Sequence, residues 1–268
     1  MGSVITIKVG IKPDCKTFML HEHALRSSSR YFVTAMNAQC AAADDKQIAL
    51  PSFRVDDFAV YAKFLYTGLL FTKDTGNAAE LTRCLHLFGV AKHLEAYDFQ
   101  DALIDAIIEY AFEFRALKGQ CRFTANQIST IYSVTEEASS LRRFAQDLYL
   151  QSKSPECFEK GRLKNFPAEF QLDLLAAAAP YITSSAKSTD MQDPLDLTRS
   201  CKYHEHTERG SPCYKKKYQF MLEEPSTAKE PRVTKAPSLR EVAKSVSESG
   251  DQRQQTEGLT SNDFELKV

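Results

Sequence analysis

Apolar residues recur at helical spacing through Leu81, Leu85, Phe88, Ala91 and Leu94, and again through Leu103, Ile104, Ile107, Ile108 and Ala111. Two amphipathic stretches in succession must bury those faces against each other and a shared core, so a helical cluster frames the chain. A short region near the start follows a different period. Between Val4 and Val9 the apolar Ile5, Ile7 and Val9 alternate with Thr6 and Lys8, the pattern of a half-buried strand. Gly10 to Cys15, with Pro13 and Asp14, reads as a turn, and Phe18 and Leu20 then lie on one side of a second strand ending near His21. Lys46–Leu50, closed by Pro51, is expected as a third strand with Ile48 and Leu50 inward. The expected class is therefore α+β, a mainly helical cluster capped by a small three-stranded sheet.

The remaining helices follow from spacing and end signals. Leu25, Ser28, Phe32 and Met36 suggest two short helices meeting around Ser29. Asp56 and Asp57 suit a helix N-terminus, because carboxylates complement its exposed N–H groups. Phe58, Tyr61 and Leu65 carry that helix to Gly68, which takes the left-handed conformation after a C-terminus without Cβ strain. Ala125–Tyr149 and Ala168–Ala178 continue the helical pattern, interrupted by Pro155, Gly161 and Pro167. Beyond Thr183, Ser, Thr, Lys and Glu dominate, and too little apolar surface remains to offset the entropy of ordering. The expected organisation is a first domain over 1–115, a helical extension over 120–182 and a mostly disordered polar tail over 183–268.

Charge and cysteine usage narrow the classes of function. Lys+Arg 34 against Asp+Glu 35 gives a net charge of -1, so no global field draws the chain toward nucleic acid or an anionic membrane. No apolar run reaches the ~18–20 residues of a membrane span, and the first ten residues lack the design of a signal peptide. An intracellular setting, cytoplasm or nucleus, is expected. The 7 cysteines are scattered and odd in number, which fits reduced thiols and small core fillers better than a disulfide framework. G-x-S-x-G, Walker and G-x-G-x-x-G patterns are absent from the sequence, and no enzymatic activity is expected.

The order strand, strand ending Phe18-Met19-Leu20-His21, Leu25, Ser29 with Phe32, strand Ile48–Pro51, Phe58, Leu65-Tyr66-Thr67-Gly68 and Leu85 through Leu94 resembles the BTB/POZ domain. Ile131-Tyr132, Leu141 to Phe144 and Asp147-Leu148 look like the helical region that follows this domain in many fungal BTB proteins. The resemblance implies a BTB/POZ fold that dimerises or binds an adaptor without catalysis. It also implies a homodimer or other protein contact at the first strand and first helix, lined near Leu25, Arg26 and Phe32. Two positions depart from the family. The acid before strand 1 and the base after the strand-2 His, which form a charged pocket in several members, are here Ser3 and Glu22. Adaptors that recruit a cullin ubiquitin ligase often carry an apolar-x-acid motif after the Tyr-Thr-Gly turn, where this chain reads Glu80-Leu81-Thr82-Arg83-Cys84. Cullin adaptor is thus an alternative reading without that motif.

Outside this domain, Cys201-x-x-His204-x-His206 with Cys213 offers the two thiolates and two imidazoles that tetrahedral Zn²⁺ prefers. The spacing differs from the usual finger, and no helical pattern supports His204 and His206. From sequence, the expectation is no cofactor, with zinc on these four residues as the exception. Lys215-Lys216-Lys217, flanked by Tyr214 and Tyr218, suggests a second alternative, a nucleic-acid-associated regulator that oligomerises through the first domain and touches its target through the tail. Neighbouring Glu223 and Glu224 weaken that reading, so the partner expected is a protein, with no membrane and no nucleic acid.

Overall fold

A computed structural model describes residues 2–39, 47–72, 78–118, 123–151, 158–183 and 193–222. Its sheet has three strands in the order β2-β1-β3, with β1 (Val4–Val9) antiparallel to β2 (Lys16–His21) and parallel to β3 (Gln47–Leu50). Because strand side chains alternate, the register sets Ile5 opposite Leu20, and Ile7 opposite both Phe18 and Ile48, on one face. That face carries the buried Ile5, Ile7, Val9, Leu20, Ile48 and Leu50, while Met19 points outward and is exposed. The third strand thus starts at Gln47; Lys46 lies outside the described residues.

Parallel pairing of β1 with β3 demands a crossover, supplied by α1 (Glu22–Ser28) and α2 (Arg30–Gln39). They meet at Ser29, as the spacing predicts. Its N–H closes α1 on the Leu25 carbonyl, while its hydroxyl accepts the Phe32 N–H and donates to the Leu94 carbonyl. Leu25 and Phe32 are both 0% exposed. This corrects the expectation that they line an outer contact: the crossover turns them into the core, and Arg26 alone of the three reaches the surface. Arg26 there pairs with Glu22 at 2.8 Å and donates to Asn37.

Helix α3 (Val55–Thr67) opens with Asp56 and Asp57 and stops at Gly68, whose φ of 66° lets its N–H reach the Phe64 carbonyl at 2.8 Å. Helices α4 (Ala78–His93) and α5 (Tyr97–Lys118) bury the two apolar faces read from the sequence. Phe32, Phe58, Tyr61, Phe64 and Phe99 form an aromatic chain linking α2, α3 and α5.

The extension comprises α6 (Ala125–Val134), α7 (Ser140–Gln151), α8 (Lys160–Leu163) and α9 (Ala168–Thr183). Thr124 and Gln127 form a capping box at the start of α6. The extension docks by bringing Val134 against Gly89 of α4, where an added Cβ would stand only 3.3 Å from Val134. Arg142 is buried at its centre. Its guanidinium donates to the carbonyls of Tyr132 and Thr135, to the Thr135 hydroxyl and to Glu169, and lies 4.1 Å from the centre of the Tyr132 ring. No helix of the described residues is long and apolar enough to cross a membrane.

The expectation of a disordered tail from residue 183 is corrected over 193–222. A 3-10 turn (Leu197–Tyr203), α10 (Glu205–Arg209) and α11 (Tyr214–Leu222) fold against the body, and the described residues belong to one compact unit. The segment is too polar to build its own core, so it borrows one. Leu195, Tyr203, Cys213 and Tyr218 are buried, Tyr203 against Phe144 of α7 and Tyr218 against Phe64 of α3. The rest of the expected tail, 184–192 and 223–268, lies outside the described residues.

Candidate metal centre

The 193–222 segment is seated by a row of acids on α5. Asp98, Asp101 and Asp105 follow one another at i, i+3 and i+7, so they share one helix face. Asp98 accepts from Lys217 Nζ at 2.7 Å. Asp101 receives the backbone N–H groups of Glu205 and His206, at 2.6 and 3.4 Å, and so caps the start of α10 from another element. Asp105 accepts from Tyr214 Oη at 2.7 Å and pairs with Lys215 Nζ at 2.9 Å. At the far ends, Arg115 holds Asp193 through both guanidinium nitrogens, and Asp147 of α7 accepts from Lys202 and Tyr203.

This row brings the four residues singled out by sequence together. One donor atom from each of Cys201, His204, His206 and Cys213 lies within 4.8 Å of all the others. The sulfurs of Cys201 and Cys213 are 4.0 Å apart, and Cys213 Sγ is 3.7 Å from His204 Nδ1. Tetrahedral zinc bonds to sulfur and imidazole require edges of about 3.8 Å for S···S and about 3.5 Å for S···N. These two edges exceed the ideal by about 0.2 Å, and all four donor atoms lie within 4.8 Å of one another. The sequence expectation of no helical support for the histidines is corrected: His206 lies on α10 and His204 is the residue before its first turn.

His204 has no exposed surface. Its Nδ1 faces the sulfurs, and its Nε2 faces Asp105 Oδ1 at 3.1 Å. Both atoms are buried without a hydrogen-bond partner, although they stand at ion-pair distance. The distance governs the electrostatics. Burial pushes the Asp105 carboxyl up, but the His204 contact, Ser200 and Tyr214 outweigh it and hold the group below the ordinary carboxylate range. Asp101 goes the other way, raised by burial to about 7 despite His204 and its two backbone donors.

Burial pushes the Cys213 thiol up to about 11, and adjacent Cys201 adds to that shift. Burial and the neighbouring His204 lower the His206 imidazole, which favours the neutral, ligand-competent form. His206 Nε2 is buried without a hydrogen-bond partner.

Sequence reasoning found the four donors and missed the acids that position them. Their signal is legible afterwards: three aspartates on one face of a helix whose other positions are mostly apolar need partners from elsewhere in the chain. The basic run finds its place here too, since Lys215 and Lys217 are engaged by Asp105 and Asp98. His21, at the end of β2, is exposed and packs its ring against Tyr66, whose hydroxyl receives its backbone N–H. Of the cysteines, Cys84 and Cys213 are buried while Cys15 and Cys201 are exposed; Cys40, Cys121 and Cys157 lie outside the described residues. No protein-family model matches the chain, and no curated protein matches it.

Proposed function

We propose that the chain is a non-catalytic protein-interaction module of the BTB/POZ type, whose C-terminal segment is fastened to it by one zinc ion held by Cys201, His204, His206 and Cys213. The observation that carries the reading is the convergence of two sulfurs and two imidazole nitrogens within 4.8 Å of one another. Two thiolates cancel the double charge of the ion, and four protein donors leave it no open position, as in structural and not catalytic sites. Asp105 stands behind His204 at ion-pair distance, on the side of the ring away from the sulfurs. The module half of the reading is supported by the mixed sheet, its helical crossover and the α3 to α5 cluster, in the order that the family resemblance requires.

Cobalt tests the site. Co²⁺ added to the chelator-stripped full chain is expected to give thiolate charge-transfer bands and the intense visible bands of a tetrahedral ion, both displaced by zinc. Featureless spectra overturn the metal reading. Light scattering tests the module: a doubled molar mass at tens of micromolar is expected for homotypic pairing, and a monomer throughout removes pairing from the reading.

A further inference from the structure

We propose that Cys201 and Cys213 are a reversible redox pair, whose oxidation to a disulfide by hydrogen peroxide expels the zinc ion and leaves the C-terminal segment closed. This rests on the zinc reading above. Three observations carry it. The sulfurs are 4.0 Å apart, and a disulfide needs them at about 2.05 Å, so their approach is a local adjustment. One sulfur is exposed and the other buried, which assigns the roles: Cys201 meets the oxidant and Cys213 resolves. The segment also has anchors independent of the metal, with Tyr203 on Asp147, Tyr214 on Asp105 and Lys217 on Asp98.

The chemistry balances as follows. The Cys201 thiolate attacks one peroxide oxygen, the O–O bond breaks, and the departing hydroxide takes a proton to leave as water, giving a sulfenic acid. The Cys213 thiolate then attacks the Cys201 sulfur, forming the S–S bond and releasing the second oxygen, which takes a proton and leaves as water. Two thiolates, one peroxide and two protons become one disulfide and two waters. Two neutral imidazoles are a poor site for Zn²⁺, and the ion departs. The disulfide closes the loop between residues 201 and 213, so one staple replaces the other. Cys84 is set apart from this chemistry by burial, which also pushes its thiol up to about 12. Exposed Cys15, on the loop between β1 and β2, is removed as a competitor by Cys15→Ser.

The test uses the zinc-loaded full chain carrying Cys15→Ser, titrated with hydrogen peroxide beside a chromogenic chelator. Zinc is expected to appear in proportion to a Cys201–Cys213 crosslinked peptide, lighter by two hydrogens in non-reducing mass spectrometry. A phosphine reductant plus zinc is expected to restore the starting state. Zinc that stays bound, or leaves with the two sulfurs as sulfinic acids or bridged to other cysteines, overturns the inference. Metal content measured before the oxidant separates the two failures: a chain that takes up no zinc overturns the metal reading itself, whereas a loaded chain that forms no Cys201–Cys213 bridge overturns only the switch.

Discussion

Withdrawing zinc with a chelator is expected to lower the thermal midpoint by about 8–16 °C. A ligand that binds only the folded state contributes about 4 kcal/mol when its free concentration is a thousandfold above Kd. For a body of about 150–250 residues each kcal/mol moves the midpoint by about 2–4 °C. The loss has a physical location. Without the ion, buried His206 Nε2 has no hydrogen-bond partner, and two sulfurs 4.0 Å apart no longer share a cation. The ring of His204 is then oriented by Asp105, the Cys213 contact and its packing. Hydrogen exchange should therefore accelerate first in the amides of 201–213, while β1 and the α4–α5 pair retain their protection. An unmoved midpoint with unchanged exchange would show that the metal does not hold this segment.

The same geography explains what could be read in advance. Periodicity found β1, β2, the α4 and α5 faces and the joint at Ser29, because each of those elements buries residues spaced by its own period. The 193–222 segment hid from that reasoning. Composition measures whether a segment can bury a core of its own, and this one places Tyr203 against Phe144 and Tyr218 against Phe64, in cores built by other helices. The four candidate donors were legible because donor chemistry is written in residue type. Their supports were not, since Asp101 and Asp105 act on residues about a hundred positions away. Leu25 and Phe32 show the converse: a family motif named them, but a motif made of apolar residues specifies a core, and the structure places both there.

Gly68 offers the sharpest single-residue test of how the segment is seated. Gly68→Ala is expected to cost about 3 kcal/mol in denaturant unfolding, from two separable sources. The first is local: φ of 66° places an alanine in the left-handed region, a penalty of about 1–2 kcal/mol. The second is tertiary: the new Cβ would stand 2.6 Å from Tyr218 Cβ and 2.7 Å from its Cδ1, a clash with ring and stem that the far end of a flexible chain cannot relieve. Overpacking of this kind costs about 1–3 kcal/mol. A double-mutant cycle divides them. In a Tyr218→Gly background, which removes the Cβ as well as the ring, the clash disappears and the strain remains, so Gly68→Ala should then cost only about 1–2 kcal/mol. Equal costs in the two backgrounds would mean that Tyr218 does not rest on Gly68. A sequence reading sees Gly68 as a helix stop; the structure gives the same missing side chain a second use, as the floor on which Tyr218 of α11 rests.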